Sequence, residues 1–111
     1  MTVYDTAHEL ARQLQNSREY LDYKEMKEKV YADITLKEKV EEFEKIRYET
    51  QVLAIQGEKQ DEEKMKKLQE LYEILLVNND IKKFFDTEVR FNVLLADVNK
   101  IIGDAVKDVL A

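Results

Sequence analysis

His8 is the single histidine of the 111-residue chain, and Glu9 follows it. A metalloprotease helix of the form His-Glu-x-x-His needs a second imidazole four positions on, where this chain has Arg12. Carboxylates recur at helical spacing, but two-metal helical bundles hold their ions with Glu-x-x-His pairs, and the sequence contains none. A working imidazole also needs an orienting partner. His8 flanks an apolar stripe, which marks it as a boundary residue; a metal-binding bundle or enzyme built from carboxylates and His8 is the alternative. Ser17, the sole serine, precedes a helical pattern and reads as a cap, not a nucleophile. Gly57 and Gly103 stand alone, so no glycine-rich loop approaches a phosphate. The absence of cysteine removes disulfides, thiolate metal sites and thiol chemistry. No catalytic residue, metal ligand or cofactor is expected.

Charge narrows the partners. The net charge is −6, with acidic groups exceeding basic ones in both halves of the chain, so no basic lobe exists to neutralise phosphates. The run Lys64-Met65-Lys66-Lys67 is flanked by Asp61, Glu62, Glu63 and Glu70 and reads as solvated helix surface. Six tyrosines invite a base-stacking reading, but Tyr20, Tyr23, Tyr31 and Tyr72 fall on apolar stripes and belong to a core. Tyr48 lies off its stripe and is the better exposed aromatic. Direct nucleic-acid binding is not expected. No uncharged stretch exceeds eight residues, so neither a membrane span nor a signal-peptide core is expected. These features point to a soluble, cytoplasmic protein.

The elements that carry these residues are helical. Proline is absent and apolar residues recur at helical spacing almost throughout. Thr2 or Asp5 caps a first helix with Tyr4, Ala7, Ala11 and Leu14 on one face. Asn16-Ser17 breaks it, and Ser17 opens a second helix with Tyr20, Tyr23, Met26, Val30 and Tyr31 on a stripe. Asp33 caps a third that closes near Gly57. In the third, Phe43, Thr50 and Gly57 form one row seven apart, and Ile46 and Leu53 another. The fourth, beginning after Asp61, repeats alike with Met65, Tyr72 and Asn79 beside Leu68 and Leu75. Two such helices joined by a short turn predict an antiparallel hairpin. Glu25/Lys29, Glu41/Lys45, Glu62/Lys66 and Glu63/Lys67, four apart, would support the exposed faces, at about 0.2–0.5 kcal/mol each.

Asn78-Asn79-Asp80 are poor helix-interior residues, so Asn79 or Asp80 is expected to cap a fifth helix, with a continuous kinked helix as the alternative. The seam of that last helix reads Ile81, Phe84, Glu88, Phe91, Leu95, Val98, Ile102, Ala105 and Val109. Leu94, Ile101 and Val106 widen it past half the circumference. Such a helix is either central in a bundle or buried against a second chain, and so short a chain has few helices to surround it. The expected association surface is Phe91, Leu94, Leu95, Val98, Ile101 and Ile102. Glu88, with Asn92 and Asn99 beside it, is either a boundary group reaching water or a device that fixes register.

Several of these positions together resemble a known family. Tyr4-Asp5 with Ala7 and Leu10, Ser17 with Glu19 and Tyr20, Ala32-Asp33 before a charged helix containing Phe43-Glu44, and the closing Leu95-Ala96-Asp97-Val98-Asn99-Lys100-Ile101-Ile102 resemble the YheA-like branch of the YlbF/YmcA/YheA family of small helical proteins. The likeness spans essentially the whole chain. It implies an all-helical, dimeric protein without enzymatic activity. In that family, YlbF and YmcA act in a complex that influences ribonuclease Y-dependent mRNA processing, competence, sporulation and biofilm formation. Iron–sulfur clusters associated with that complex use cysteines, which are missing here, so no cluster role carries over.

The expected fold class is therefore all-α: about five helices in one domain over 1–111, with a central antiparallel hairpin and a long apolar C-terminal helix. The expected function is that of a non-enzymatic interaction or regulatory protein, a homodimer with a possible further protein partner.

Overall fold

The computed structural model describes residues 2–110. Five helices account for nearly all of them: α1 (Val3–Gln15), α2 (Arg18–Tyr31), α3 (Ile34–Ile55), α4 (Glu62–Leu76) and α5 (Asn79–Leu110). No strand occurs among the described residues. The all-α expectation holds, with the hairpin and the long terminal helix in place.

Each break has a side chain that causes it. Thr2 and Asp5 form a reciprocal capping box, so the two alternatives for the first cap work together. The Ser17 hydroxyl donates to the Leu14 carbonyl at 2.6 Å and accepts from the Tyr20 N–H at 3.2 Å, which ends α1 and starts α2 with one group. Asp33 accepts from the N–H groups of Thr35 and Leu36, and Asp61 from those of Glu63 and Lys64. Gly57 takes φ +70°, while Glu58 N–H bonds to the Leu53 carbonyl and Gly57 N–H to that of Ala54. That pairing satisfies the last carbonyls of α3 and requires a left-handed residue. One expectation needs correction. α5 is capped by Asn78, whose side-chain oxygen accepts from Asp80 and Ile81 N–H at 2.9 and 3.1 Å. Asn79 and Asp80 lie inside its first turn instead, because the acceptor must sit two or three residues before the donors it satisfies. The break itself is real.

By internal contact the chain divides into two compact units, with boundaries inside α2 and α5. One joins the chain up to Lys27 with the chain from Phe84 onward, and the other is Glu28–Lys83. In the first, Phe84 and Phe91 are seven apart and share a face of α5. The Tyr23 ring lies 5.6 Å from Phe84 and 5.7 Å from Phe91, and Tyr20 meets Phe91 edge-on at 5.8 Å. Such pairs add about 0.5–1.5 kcal/mol each beyond their area burial.

In the Glu28–Lys83 unit, Val30, Val40, Phe43, Ile46, Leu75 and Ile81 are buried. Phe43 stacks on Tyr72, Glu42 pairs with Lys67 and Glu49 with Lys64. The α4 partner falls from Tyr72 to Lys64 as α3 runs from Phe43 to Glu49, so the hairpin is antiparallel. Other partners replace some of the i,i+4 pairs expected from sequence. Lys67 reaches Glu42, Lys29 reaches Asp80 and Glu41 pairs with Lys37. Each exposed pair is worth at most about 1 kcal/mol, so they trim register and the buried stripe decides the packing.

Phe84→Ala should cost about 3–5 kcal/mol in urea unfolding, since Phe84 is fully buried. Asn78→Ala should cost about 1 kcal/mol through the lost cap. Gly57→Ala should cost about 1–2 kcal/mol, because φ +70° penalises a Cβ even where open space surrounds it. A loss below about 1 kcal/mol for Phe84→Ala would place the core of its unit elsewhere.

Candidate interaction surface

α5 is amphipathic over its first third only. Ile81, Phe84, Phe85, Thr87 and Glu88 are buried, whereas every described residue from Asn99 onward is exposed. That change is graded, and the apolar residues continue through it. Of the six side chains expected to form an association surface, Phe91 is half-buried because Tyr20 and Tyr23 pack on it. Leu94 and Val98 are also half-buried. Leu95, Ile101 and Ile102 are exposed, Ile101 to 70% and Ile102 to 51%. The seven-residue spacings Leu94/Ile101 and Leu95/Ile102 keep these side chains on two adjoining stripes of one face.

The first helix adds to that face. Its apolar stripe is largely uncovered: Tyr4, Ala7 and Ala11 are exposed and only Leu10 and Leu14 are half-buried. A helix of small alanines covers little of its neighbour, so an open apolar groove remains, lined by Thr2, Val3, Thr6, Ala7, Leu10 and Ile102. Two exposed valines of α5 escaped the sequence reading. Val89 and Val93 lie off the seam and border a shallow depression with Glu19, Arg90 and Asp97. Their i, i+4 spacing was a readable signal for a second, weaker stripe.

Polar residues of the seam sort cleanly. Asn92 and Asn99 are exposed and reach water, as the plainer reading held. Glu88 does not: it is 8% exposed and engaged within the protein, so it is a core group and not a boundary one. Burial of a carboxylate demands such engagement. Thr87 beside it donates its hydroxyl to the Phe84 carbonyl at 2.8 Å.

His8 lies on an exposed face with Asp5, Glu9 and Arg12. Those carboxylates have other work. Asp5 closes the capping box, and Glu9 accepts from Arg12 at 2.7 and 3.1 Å. Among the described residues no group of three or more His, Asp or Glu side chains is placed to hold a metal ion. Tyr48 is exposed as expected, and Tyr72 stacks on Phe43 while keeping one edge in water. Among the described residues no helix is long and apolar enough to cross a membrane.

The family described as "Control of competence regulator ComK, YlbF/YmcA" matches residues 3–107. The chain belongs to that family. It is also 37% identical over 102 residues to a UPF0342 protein of Halothermothrix orenii, a match covering 92% of this chain and 86% of that relative. Among solved structures it is similar to a Bacillus stearothermophilus protein of unknown function (DUF964), with TM-score 0.80 and 15% identity over 96% of this chain and 93% of that one. It is similar too to the crystal structure of Bacillus subtilis RicA in complex with RicF, with TM-score 0.61 and 21% identity over 98% and 96% of the two chains. At those identities the structural likeness speaks for the fold. The family resemblance drawn from the caps and core positions is thus borne out.

Removing the imidazole should be nearly silent. His8→Ala is expected to change stability by less than about 0.5 kcal/mol, as for other exposed sites, measured by thermal unfolding with and without chelator. A chelator-sensitive melting temperature in the parent that His8→Ala abolishes would instead give His8 a ligand role.

Proposed function

We propose that this chain is a non-enzymatic adapter that pairs with a second copy of itself through the apolar face of α1 and α5. The observation carrying this reading is the surface left uncovered from Asn99 to Leu110. Apolar side chains at Ile101, Ile102, Val106, Val109 and Leu110 stand exposed on a helix that earlier buries Phe84 and Ile81. A chain of this mass, 13.2 kDa, would expose about 6,400 Å² as a folded monomer. This one exposes 8716 Å², an excess of roughly 2,300 Å². An ordinary interface takes about 800 Å² from each partner, so a second copy can be accommodated within the surplus. Contiguous apolar patches larger than a few hundred Å² are rare on monomers and mark interaction sites.

Family membership supports the regulatory half of the reading, since the family is described by control of a competence regulator. RicA, a structural neighbour, was solved in complex with RicF, which supports assembly through this helical scaffold. In this reading the chain works in the cytoplasm as an adapter for RNA processing, competence or biofilm control, as its YlbF/YmcA relatives do. α2 and α5 contribute residues to both compact units, which favours unfolding as one cooperative domain.

Sedimentation equilibrium at micromolar concentration should give twice the chain mass. The double variant Leu94→Asp, Ile101→Asp should sediment as a folded monomer with an unchanged far-ultraviolet helix signal. A parent that stays monomeric to about 100 μM, well above the range of ordinary specific interfaces, would overturn the proposal.

A further inference from the structure

The last three turns of α5 have neither cover nor local support. Asn99 to Leu110 is the longest uninterrupted run of exposed residues among those described. Of its twelve residues only Lys100, Ala105, Lys107 and Leu110 are strong helix formers. Ile101, Ile102, Val106 and Val109 are β-branched and lose side-chain freedom against the preceding turn. Gly103 carries the largest backbone entropy cost, although a Cβ there would meet no atom within 4 Å. The ion pair of Lys100 with Asp104, at 4.0 Å, is exposed and has the basic residue first, the weaker order along a helix. Asp108 stands in the final turn, where the backbone dipole disfavours a carboxylate.

Other thinly covered parts of the chain are held by something. α1 buries no residue, yet eight of its thirteen residues are strong helix formers, Thr2 and Asp5 cap it, and Glu9 pairs with Arg12. In α4, thirteen of fifteen residues are strong formers. At the open end of the hairpin, Ile74 and Val77 are exposed beside Leu36 and Lys39 in a groove of about 260 Å³, but Leu75 and Ile81 next to them are buried. The tail of α5 has no such anchor. Ile102, Ala105, Val106 and Val109 follow i, i+3, i+4 and i+7, the pattern of a face that packs. That face is what can hold these turns, and within one chain it stays open to water.

We infer that the last three turns of α5 open locally in the free chain and are closed by the second copy, so that pairing carries an ordering step. This step presupposes the self-association proposed above. The preceding turns of α5 nucleate the segment, so it is helical most of the time and the far-ultraviolet signal hardly registers the opening. Amide exchange does register it, because local opening exposes the backbone N–H groups to water. Closing by a partner follows mass action. At ten times the dissociation constant, an opening that requires dissociation becomes about tenfold rarer. Unpaired copies thus present a loose apolar end that a protease can engage, and paired copies do not.

Hydrogen–deuterium exchange of the full chain, read by mass spectrometry of peptic fragments, tests this above and below the dissociation midpoint found by sedimentation. Leu94→Asp, which lies outside the segment, stands for the free chain where the parent pairs too tightly to dilute. Amides from Gly103 to Leu110 should exchange about tenfold faster in the free chain than in parent held at ten times its dissociation constant. Those of α3 and α4 should exchange alike in both. Gly103→Ala should slow exchange of the tail in the free chain about fivefold, the difference in helix propensity between the two residues. Equal protection of the tail in free and paired chains would overturn the inference, and so would a tail that Gly103→Ala leaves unchanged. In either case a parent that sediments at twice the chain mass keeps the self-association reading. A parent that stays monomeric would sink both readings, and sedimentation alone would show it.

Discussion

A 32-residue helix with apolar side chains over more than half its circumference cannot be satisfied from one side, and α5 is such a helix. From Phe84 onward, α2 supplies partial cover for it. Tyr20 and Tyr23 close over Phe84 and Phe91, and Ile81 is buried in the other unit. The aromatic clasp is what converts a solvated amphipathic helix into the backbone of a domain, because rings of this size dominate burial in a small core. Past Phe91 the covering material runs out. α1 offers alanines where α2 offered tyrosines, and the apolar sequence of α5 continues unchanged over a thinner neighbour.

Much of this was legible in the sequence, for reasons that are local. Thr2, Ser17, Asp33, Asp61 and Gly57 each act within four residues of themselves, so their chemistry is written where it operates. The heptad rows of Phe43, Ile46, Thr50, Leu68 and Leu75 specified a hairpin because seven-residue spacing returns a side chain to the same face. Asn78 was misassigned by a single position, since three consecutive polar residues all qualify as caps and only the first lets the following N–H groups converge on its oxygen. Long-range facts were less legible. That Lys67 prefers Glu42 across the hairpin to Glu63 on its own helix depends on α3 being alongside, which no local pattern records. The burial of Glu88 is of the same kind. A carboxylate in an apolar row looks like a boundary residue until its surroundings are assembled.

α1 shows how a correct periodicity can still mislead. Tyr4, Ala7, Ala11 and Leu14 do share a face, and the helix does form where expected. Amphipathicity states that one side avoids water; it does not state that the chain itself supplies the cover. An exposed stripe on α1 beside exposed isoleucines on α5 is the pattern of a surface completed by another molecule.

The two apolar surfaces differ in what they can do because they differ in charge and extent. On α5 the apolar side chains are many, and Lys100 is held by Asp104 one turn on. The proposed association there would draw on buried area, which salt leaves largely intact and which suits a lasting pairing of like chains. The groove at Val77 is smaller and Lys39 is the one charged side chain lining it, so it offers less area to a lasting contact.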